Sequence, residues 1–218
     1  MQEKLSDVAA ATENTHKTVL ELISKEKRGK VLDAAAGAGA LCFELRKLGF
    51  DVQGCDIHPA NFKAHGITCD KVDLQKPMFY EDESFDYITS VETIEHVENP
   101  WHLLREFNRI LKMDGKLYIT TPNVHAFYQR IYFLFSKPFF SFYEDDYKYN
   151  NHVSPILFWN LERIIEATGF VIEKITFNRG FIPKIRIGKR NLKAPKNFFF
   201  GETLILVVKK VRRSSCGI

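Results

Sequence analysis

The chain has 218 residues, 45% of them hydrophobic and 27% charged, the size and balance of one globular domain or one domain with an elaborated cap. Four cysteines (Cys42, Cys55, Cys69 and Cys216) form no C-x-x-C pair, which points away from a disulfide framework or structural zinc and toward reduced thiols in the cytoplasm. The net charge of +4 is uneven: from Phe170 onward 12 Lys/Arg face two acids, about +10, against about −6 before that point. Such a tail is either a solvated basic edge or a surface for an anionic partner such as phospholipid, nucleotide or RNA. Residues 1–14 are polar, without the apolar core of a secretory signal, and the most apolar stretch, residues 131–135, is far too short to span a bilayer. No repeat or linker breaks the chain, so residues 1–218 are read as a single domain.

Gly29-Lys30 leads into the apolar run Val31-Leu32, which ends on Asp33 and a small-residue turn. Leu41, Leu45 and Leu48 then recur at helical spacing, and Gly49 closes that helix. Residues 50–56, 85–90 and 116–121 read as strands. Ahead of the last of these, Asn99 is placed to cap a helix with Pro100 at its first position. Leu103, Leu104, Phe107, Ile110 and Leu111 give that helix an apolar face, and Asp114-Gly115 turns the chain. Leu161, Ile164 and Ile165 predict another helix stopped by Gly169, followed by strands over 170–177 and 203–209. Alternating strands and helices predict an α/β fold: a mostly parallel sheet with helices on both faces, its ligand beyond the carboxyl ends of the strands.

The motifs fall at those ends. The run Asp33-Ala34-Ala35-Ala36-Gly37-Ala38-Gly39 joins a strand to a helix, where small residues admit a ligand to the backbone and free N–H groups. Asp56 ends the second strand, where a carboxylate can accept both hydroxyls of a ribose. Asp73-Leu74 follows the third segment, and Ser90-Val91 ends the fourth strand. The order Val31-Leu32-Asp33-(x3)-Gly37-x-Gly39, Asp56, Asp73-Leu74, Ser84-Phe85-Asp86, Glu95-His96-Val97 and Thr120-Thr121-Pro122-Asn123 resembles the class I S-adenosylmethionine-dependent methyltransferases over residues 28–177. The resemblance is nearest to the ubiquinone-biosynthesis O-methyltransferase-like branch. It implies a Rossmann-like three-layer sandwich with a seven-stranded sheet, whose reversed strand residues 203–209 would supply. It also implies S-adenosylmethionine as cofactor and S-adenosylhomocysteine as product. By position, Asp33, Ala35, Gly37 and Gly39 would line the methionine part, Asp56 and Ile57 the ribose, and Asp73 and Leu74 the adenine, with Ser90 bordering the crevice. Ala35 stands where the family usually has glycine, a change tolerated where φ is negative. A nicotinamide-binding G-x-G-x-x-G would need glycine where the chain has Cys42.

Methyl transfer needs alignment and exclusion of water more than any one residue type. The candidate catalytic residues are Glu95, His96 and His152, with His125 a further candidate base or ligand. If the turn is helical, Glu92, Glu95 and His96 share one face and could bind a divalent metal. This E-x-x-E-H pattern is similar to metal-using ubiquinone O-methyltransferases and small-RNA 2′-O-methyltransferases; in members without metal, the Glu-His pair only braces the cofactor loop. Residues 124–152 read as a lid that binds the acceptor, because 126–149 carry eleven aromatics and Lys137-Pro138 divides them into two short helices. Phe198-Phe199-Phe200 beside Lys193 and Lys196 would suit peripheral contact with an anionic membrane, or a dimer interface. The expected activity is methylation of a small-molecule or lipid-linked acceptor, at oxygen. The alternatives are an RNA 2′-O-methyltransferase and a non-catalytic, cofactor-binding partner subunit.

Overall fold

The computed structural model describes residues 11–12, 14–139, 141–145, 147–148, 151–180, 186–187, 190–191 and 194–214. The chain enters through α1 (Thr15–Ile23) and reaches β1 (Lys30–Ala34), where Val31 and Leu32 are wholly buried on opposite faces. There follow α2 (Ala40–Lys47), β2 (Asp51–Asp56), the three-residue β3 (Cys69–Lys71), β4 (Phe85–Ser90), α3 (Pro100–Ile110) and β5 (Leu111–Pro122). After α4 (Phe127–Leu134) come α5 (Phe158–Ala167), β6 (Phe170–Phe177), the two-residue strands β7 (Arg186–Ile187) and β8 (Arg190–Asn191), and β9 (Thr203–Lys210). Seven strands form one sheet in the order β3-β2-β1-β4-β5-β9-β6, while β7 and β8 pair only with each other. The first five run parallel, and β9 lies antiparallel to both β5 and β6, so the expected reversed strand is present.

The two-residue period of the strands divides the core. Val31, Ile205 and Val207 pack with Val19 and Ile23 of α1 and Leu41 and Leu45 of α2. Leu32, Leu204, Leu206 and Val208 pack on the other side with Leu103, Leu104 and Phe107 of α3 and with Leu161 and Ile164 of α5. Burial on both faces explains why β9 reads as an unbroken apolar run rather than an alternating one.

Asn99 caps α3 as expected, its side-chain oxygen accepting from the His102 N–H at 3.0 Å, with Pro100 at the first position. The turn at Asp114-Gly115 is instead a distortion inside β5: Asp114 has φ 62°, and the β4–β5 register shifts between Phe85 and Tyr87. Asp86 accepts the Lys30 N–H at 2.8 Å and pairs with Lys112, tying β4 and β5 to the start of β1.

Several cations of the basic tail are used internally. Lys210 is buried and donates to the Leu111 carbonyl at 2.7 Å; Lys209 pairs with Asp114, Arg213 with Glu83 and Arg179 with Glu202. The expected second lid helix falls partly outside the described residues, as do Phe140, Tyr149, Lys193 and Cys216. Among the nine described aromatics of residues 126–149 only Tyr128 is buried, so most of these rings do not form the floor of a closed pocket. No helix among the described residues is long and apolar enough to cross a membrane.

His125 is a structural acceptor rather than a base: its Nε2 takes the N–H of Phe158, the first residue of α5, at 2.8 Å. That bond needs the neutral ring, and burial, helped by Arg130, holds the pKa below the usual histidine value. A depressed folded pKa makes this contribution complete above about pH 6.5, and it is lost as pH falls through the folded value. His125→Ala should therefore cost about 1 kcal/mol in urea unfolding at pH 7.5 and less at pH 5. An equal cost at both values would mean the cap does not depend on the neutral ring.

Candidate active site

Strand order changes direction between β1 and β4, which opens a crevice at their carboxyl ends. The loop leaving β1 has three left-handed residues, Ala35 (φ 59°), Gly37 (φ 54°) and Gly39 (φ 83°). A Cβ on Gly39 would lie 2.6 Å from the Phe62 ring, so the loop is packed there; one on Gly37 would meet nothing within 4 Å, so the backbone there borders open space. Ala35 corrects an expectation: the condition of negative φ fails, and its methyl group sits in a conformation that costs a non-glycine residue about 1–2 kcal/mol. Ala35→Gly should raise stability by up to about 1 kcal/mol, part of the gain being offset by a looser unfolded chain. Thermal unfolding measures it, and a lower melting temperature would show the conformation is not strained.

Asp33 is buried at the base of this loop, accepting from the Thr89 hydroxyl at 2.7 Å and the Cys42 thiol at 3.1 Å. Burial pushes its pKa up to about 6 against the pull of those two donors. Asp56 accepts the Gly37 N–H at 2.9 Å and the His58 N–H at 2.8 Å, so one carboxylate ties the loop after β1 to the end of β2. Ile57, next to it, is about half exposed. Asp73 accepts from the Gln75 N–H and pairs with Lys76, and these two hold its pKa below the ordinary value. Leu74 is buried in the core cluster beneath it. Ser90 is wholly buried at the end of β4, and its hydroxyl has no hydrogen-bond partner.

Beyond β4 a single 3-10 turn, Ile94–His96, carries the polar cluster. Its backbone is tied to the segment after α4, because the Val153 and Ser154 N–H groups both donate to the Glu95 carbonyl, at 3.0 and 3.2 Å. One carboxylate oxygen of Glu95 and one ring nitrogen each of His96 and His152 lie within 4.8 Å of one another. The imidazoles meet edge to face, centroids 4.7 Å apart. His96 Nδ1 lies 3.1 Å from the Asn151 carbonyl and His152 Nδ1 2.6 Å from the Ser141 carbonyl. A carbonyl only accepts, so each Nδ1 carries a proton and the neutral ring keeps its lone pair on Nε2. Glu95 is wholly buried, and neither carboxylate oxygen has a well-formed hydrogen bond. Burial pushes its pKa up to about 8, with the charge of Glu92 adding to the rise and the nearby Thr121 hydroxyl opposing it.

Glu92 is not part of that cluster. Its φ of 47° breaks the helical geometry on which the shared face depended. Its carboxylate instead accepts the Thr12 N–H at 3.0 Å and the Thr203 hydroxyl at 3.2 Å, fastening the N-terminal segment to β9. His152 takes the place expected for Glu92. Sequence reasoning missed Thr89 on Asp33 and Thr203 on Glu92, which only the sheet brings together, and Cys42 on Asp33, which the first turn of α2 folds back onto the strand end.

A switch point in a sheet of this strand order, bordered by acidic strand ends and a small-residue loop, defines the class I methyltransferase architecture. Residues 1–175 match the methyltransferase domain family, and the chain belongs to that family, the class I S-adenosylmethionine-dependent methyltransferases. Ubiquinone biosynthesis O-methyltransferase of Maricaulis maris is 30% identical over 103 residues, 43% of this chain and 41% of that protein. The corresponding protein of Histophilus somni is 32% identical over 123 residues, 49% of this chain and 52% of its own length. The chain thus spans about half, or less, of the curated relatives it matches. A SAM-dependent methyltransferase from Thermotoga maritima superposes with a TM-score of 0.67 at 19% identity, covering 90% of both chains. One from Archaeoglobus fulgidus gives 0.65 at 19% identity, covering 90% of this chain and 95% of that one. Both share the fold.

Proposed function

We propose that the chain transfers a methyl group from S-adenosylmethionine to an oxygen of a small, lipophilic acceptor, a phenol or lipid-linked hydroxyl. Glu95, His96 and His152 would hold a divalent cation beside the acceptor oxygen. The observation that carries this reading is the Glu95 carboxyl, buried without a well-formed hydrogen bond and within ligand reach of two imidazoles. A buried acid in that state is costly unless it stays protonated or meets a cation, and one carboxylate with two imidazoles is a donor set that suits a divalent transition-metal ion such as manganese. The names of the relatives, ubiquinone biosynthesis O-methyltransferases, support oxygen as the acceptor atom.

The crevice fits the cofactor as well. The open approach at Gly37 and the partnerless hydroxyl of Ser90 suit a ligand that brings polar atoms of its own. Asp33, Ala35, Gly37 and Gly39 hold the amino-acid end, Asp56 and Ile57 the ribose, and Asp73 and Leu74 the adenine. Asp56 has further lone pairs for hydroxyls beyond its two backbone donors. The cation, when bound, supplies a Lewis acid that lowers the pKa of an acceptor hydroxyl. His96 and His152 would hold and orient rather than shuttle protons, because each Nδ1–H is donated to a carbonyl and each Nε2 lone pair would be taken by the cation.

Calorimetry with S-adenosylhomocysteine, followed by methyl transfer to vicinal phenols, tests the reading. We expect micromolar binding, turnover lost with chelator, and recovery on adding magnesium or manganese. Cofactor binding with turnover indifferent to chelator would remove the cation; methylation of short RNA but of no phenol or lipid would replace the acceptor. Binding without turnover on any acceptor would make the chain a partner subunit.

A further inference from the structure

The excursion between β5 and α5 exposes an apolar surface that neither the cofactor crevice nor the polar cluster uses. On α4 and its C-terminal end, Phe127, Ile131, Phe133, Leu134 and Phe135 are all exposed, the last three by 67%, 77% and 71%. Phe127, Ile131 and Leu134 recur at the spacing of one helix face, while Tyr128 and Gln129 are the residues α4 buries. Phe199 is also exposed and stacks on Phe127 with centroids 4.9 Å apart, so the loop before β9 continues the same surface. Large contiguous apolar exposure of this kind marks a docking surface.

The charges around it select the occupant. Residues 126–139 contain Arg130 and Lys137 and no acid, Lys196 lies on the neighbouring loop, and Glu144, in the segment that follows, is paired with Lys148. The Arg130 guanidinium lies over the Phe199 ring, 5.9 Å from its centroid, which sets a cation among the apolar side chains. A second copy of this chain, docking face to face, would bring these cations against their own counterparts. An anionic bilayer surface accepts both the rings and the cations. At eight residues, about 12 Å, α4 is long enough to lie in the interface and too short to cross it.

We infer that the exposed face of α4, with Phe199, docks on an anionic phospholipid surface. The same excursion supplies Ser141 and His152 to the polar cluster, so docking sets the acceptor side of the site against the lipid. That consequence rests on the lipophilic acceptor proposed above; the docking does not. The sequence reading placed membrane contact at Phe198-Phe199-Phe200, whereas exposure places most of the apolar surface on α4.

Vesicle flotation tests the inference with the full chain and phosphatidylcholine vesicles containing about a third phosphatidylglycerol. Wild type should float with these vesicles, less at high salt and less with phosphatidylcholine alone. Leu134→Glu with Phe135→Glu should lower the partition coefficient by roughly tenfold or more, and Arg130→Glu with Lys137→Glu should lower it on anionic vesicles. Leu134 and Phe135 are exposed, so melting temperature and S-adenosylhomocysteine binding of that variant should stay at wild-type values, which separates lost docking from misfolding. Wild type that stays unbound, or a Leu134→Glu, Phe135→Glu protein that floats like wild type, would overturn the inference. So would a wild-type dimer that the same double substitution converts to monomer, because the surface would then belong to a second copy. Vesicle binding without methylation of any lipophilic acceptor would leave docking standing and remove the acceptor.

Discussion

Glu95→Gln should abolish divalent-cation binding and lower methyl transfer by on the order of a hundredfold or more, with cofactor affinity within about twofold of wild type. Glutamine keeps the shape and removes the charge, while Asp33 to Gly39, Asp56 and Asp73, assigned to the cofactor, lie at or after the ends of β1, β2 and β3. The same substitution has an opposite and diagnostic effect on stability. Burial raises the Glu95 pKa to about 8 in the folded chain, so between the unfolded value near 4.3 and about 8 the folded state holds a proton that the unfolded state gives up. The favourable contribution of Glu95 is therefore complete below the unfolded pKa and is lost as pH rises through the folded one. Without cation, wild type should lose stability relative to Glu95→Gln from pH 5 to pH 8.5, by on the order of a few kcal/mol. Adding magnesium or manganese at pH 8.5 should return stability to wild type and not to the variant. Below about pH 8 the cation competes with that proton, so its affinity should rise with pH. Melting curves across pH, with and without cation, read all three effects. Coincident curves for the two proteins would mean that Glu95 neither ionises nor binds metal.

What was legible in the sequence was local. Asn99 with Pro100 marks the start of α3, and Asp33-(x3)-Gly37-x-Gly39 marks a strand-to-helix loop, because each depends on neighbours in the chain. The reversed β9 was read from the resemblance and its apolar run. α1 gave no comparable signal: two of its four buried residues are threonines, which interrupt the apolar stripe, and Asn14 at its start makes no side-chain cap. β3, at three residues, is too short to show alternation. The polar cluster was half legible for a similar reason. Glu95 and His96 are adjacent, but His152 arrives across 56 positions of sequence. Glu92 left the set because one residue with positive φ redirected its side chain. The internal pairing of part of the basic tail was not legible, because the partners of Arg179, Lys209 and Arg213, namely Glu202, Asp114 and Glu83, come from elsewhere in the sheet and its edges.

Asp56→Ala should weaken S-adenosylhomocysteine binding by about 1–3 kcal/mol, roughly five- to 150-fold, with little effect on cation affinity. The carboxylate has two duties that alanine ends together. It is placed to accept ribose hydroxyls, and it already accepts the Gly37 and His58 N–H groups, holding the loop after β1 against the end of β2. Asp56→Asn separates them, since the amide keeps one acceptor oxygen for a backbone N–H and loses the charge and the second acceptor. If loop positioning dominates, the asparagine variant should recover much of the lost affinity; if the ribose contact dominates, it should recover little. Calorimetry with adenosine alone sharpens the distinction, because adenosine has the ribose and lacks the amino-acid end that the Asp33 to Gly39 loop would hold. A pure ribose defect weakens adenosine and S-adenosylhomocysteine by the same factor, whereas a loop defect weakens S-adenosylhomocysteine more. Unchanged affinity for both ligands in Asp56→Ala would place the nucleoside elsewhere and remove the cofactor assignments that depend on the end of β2.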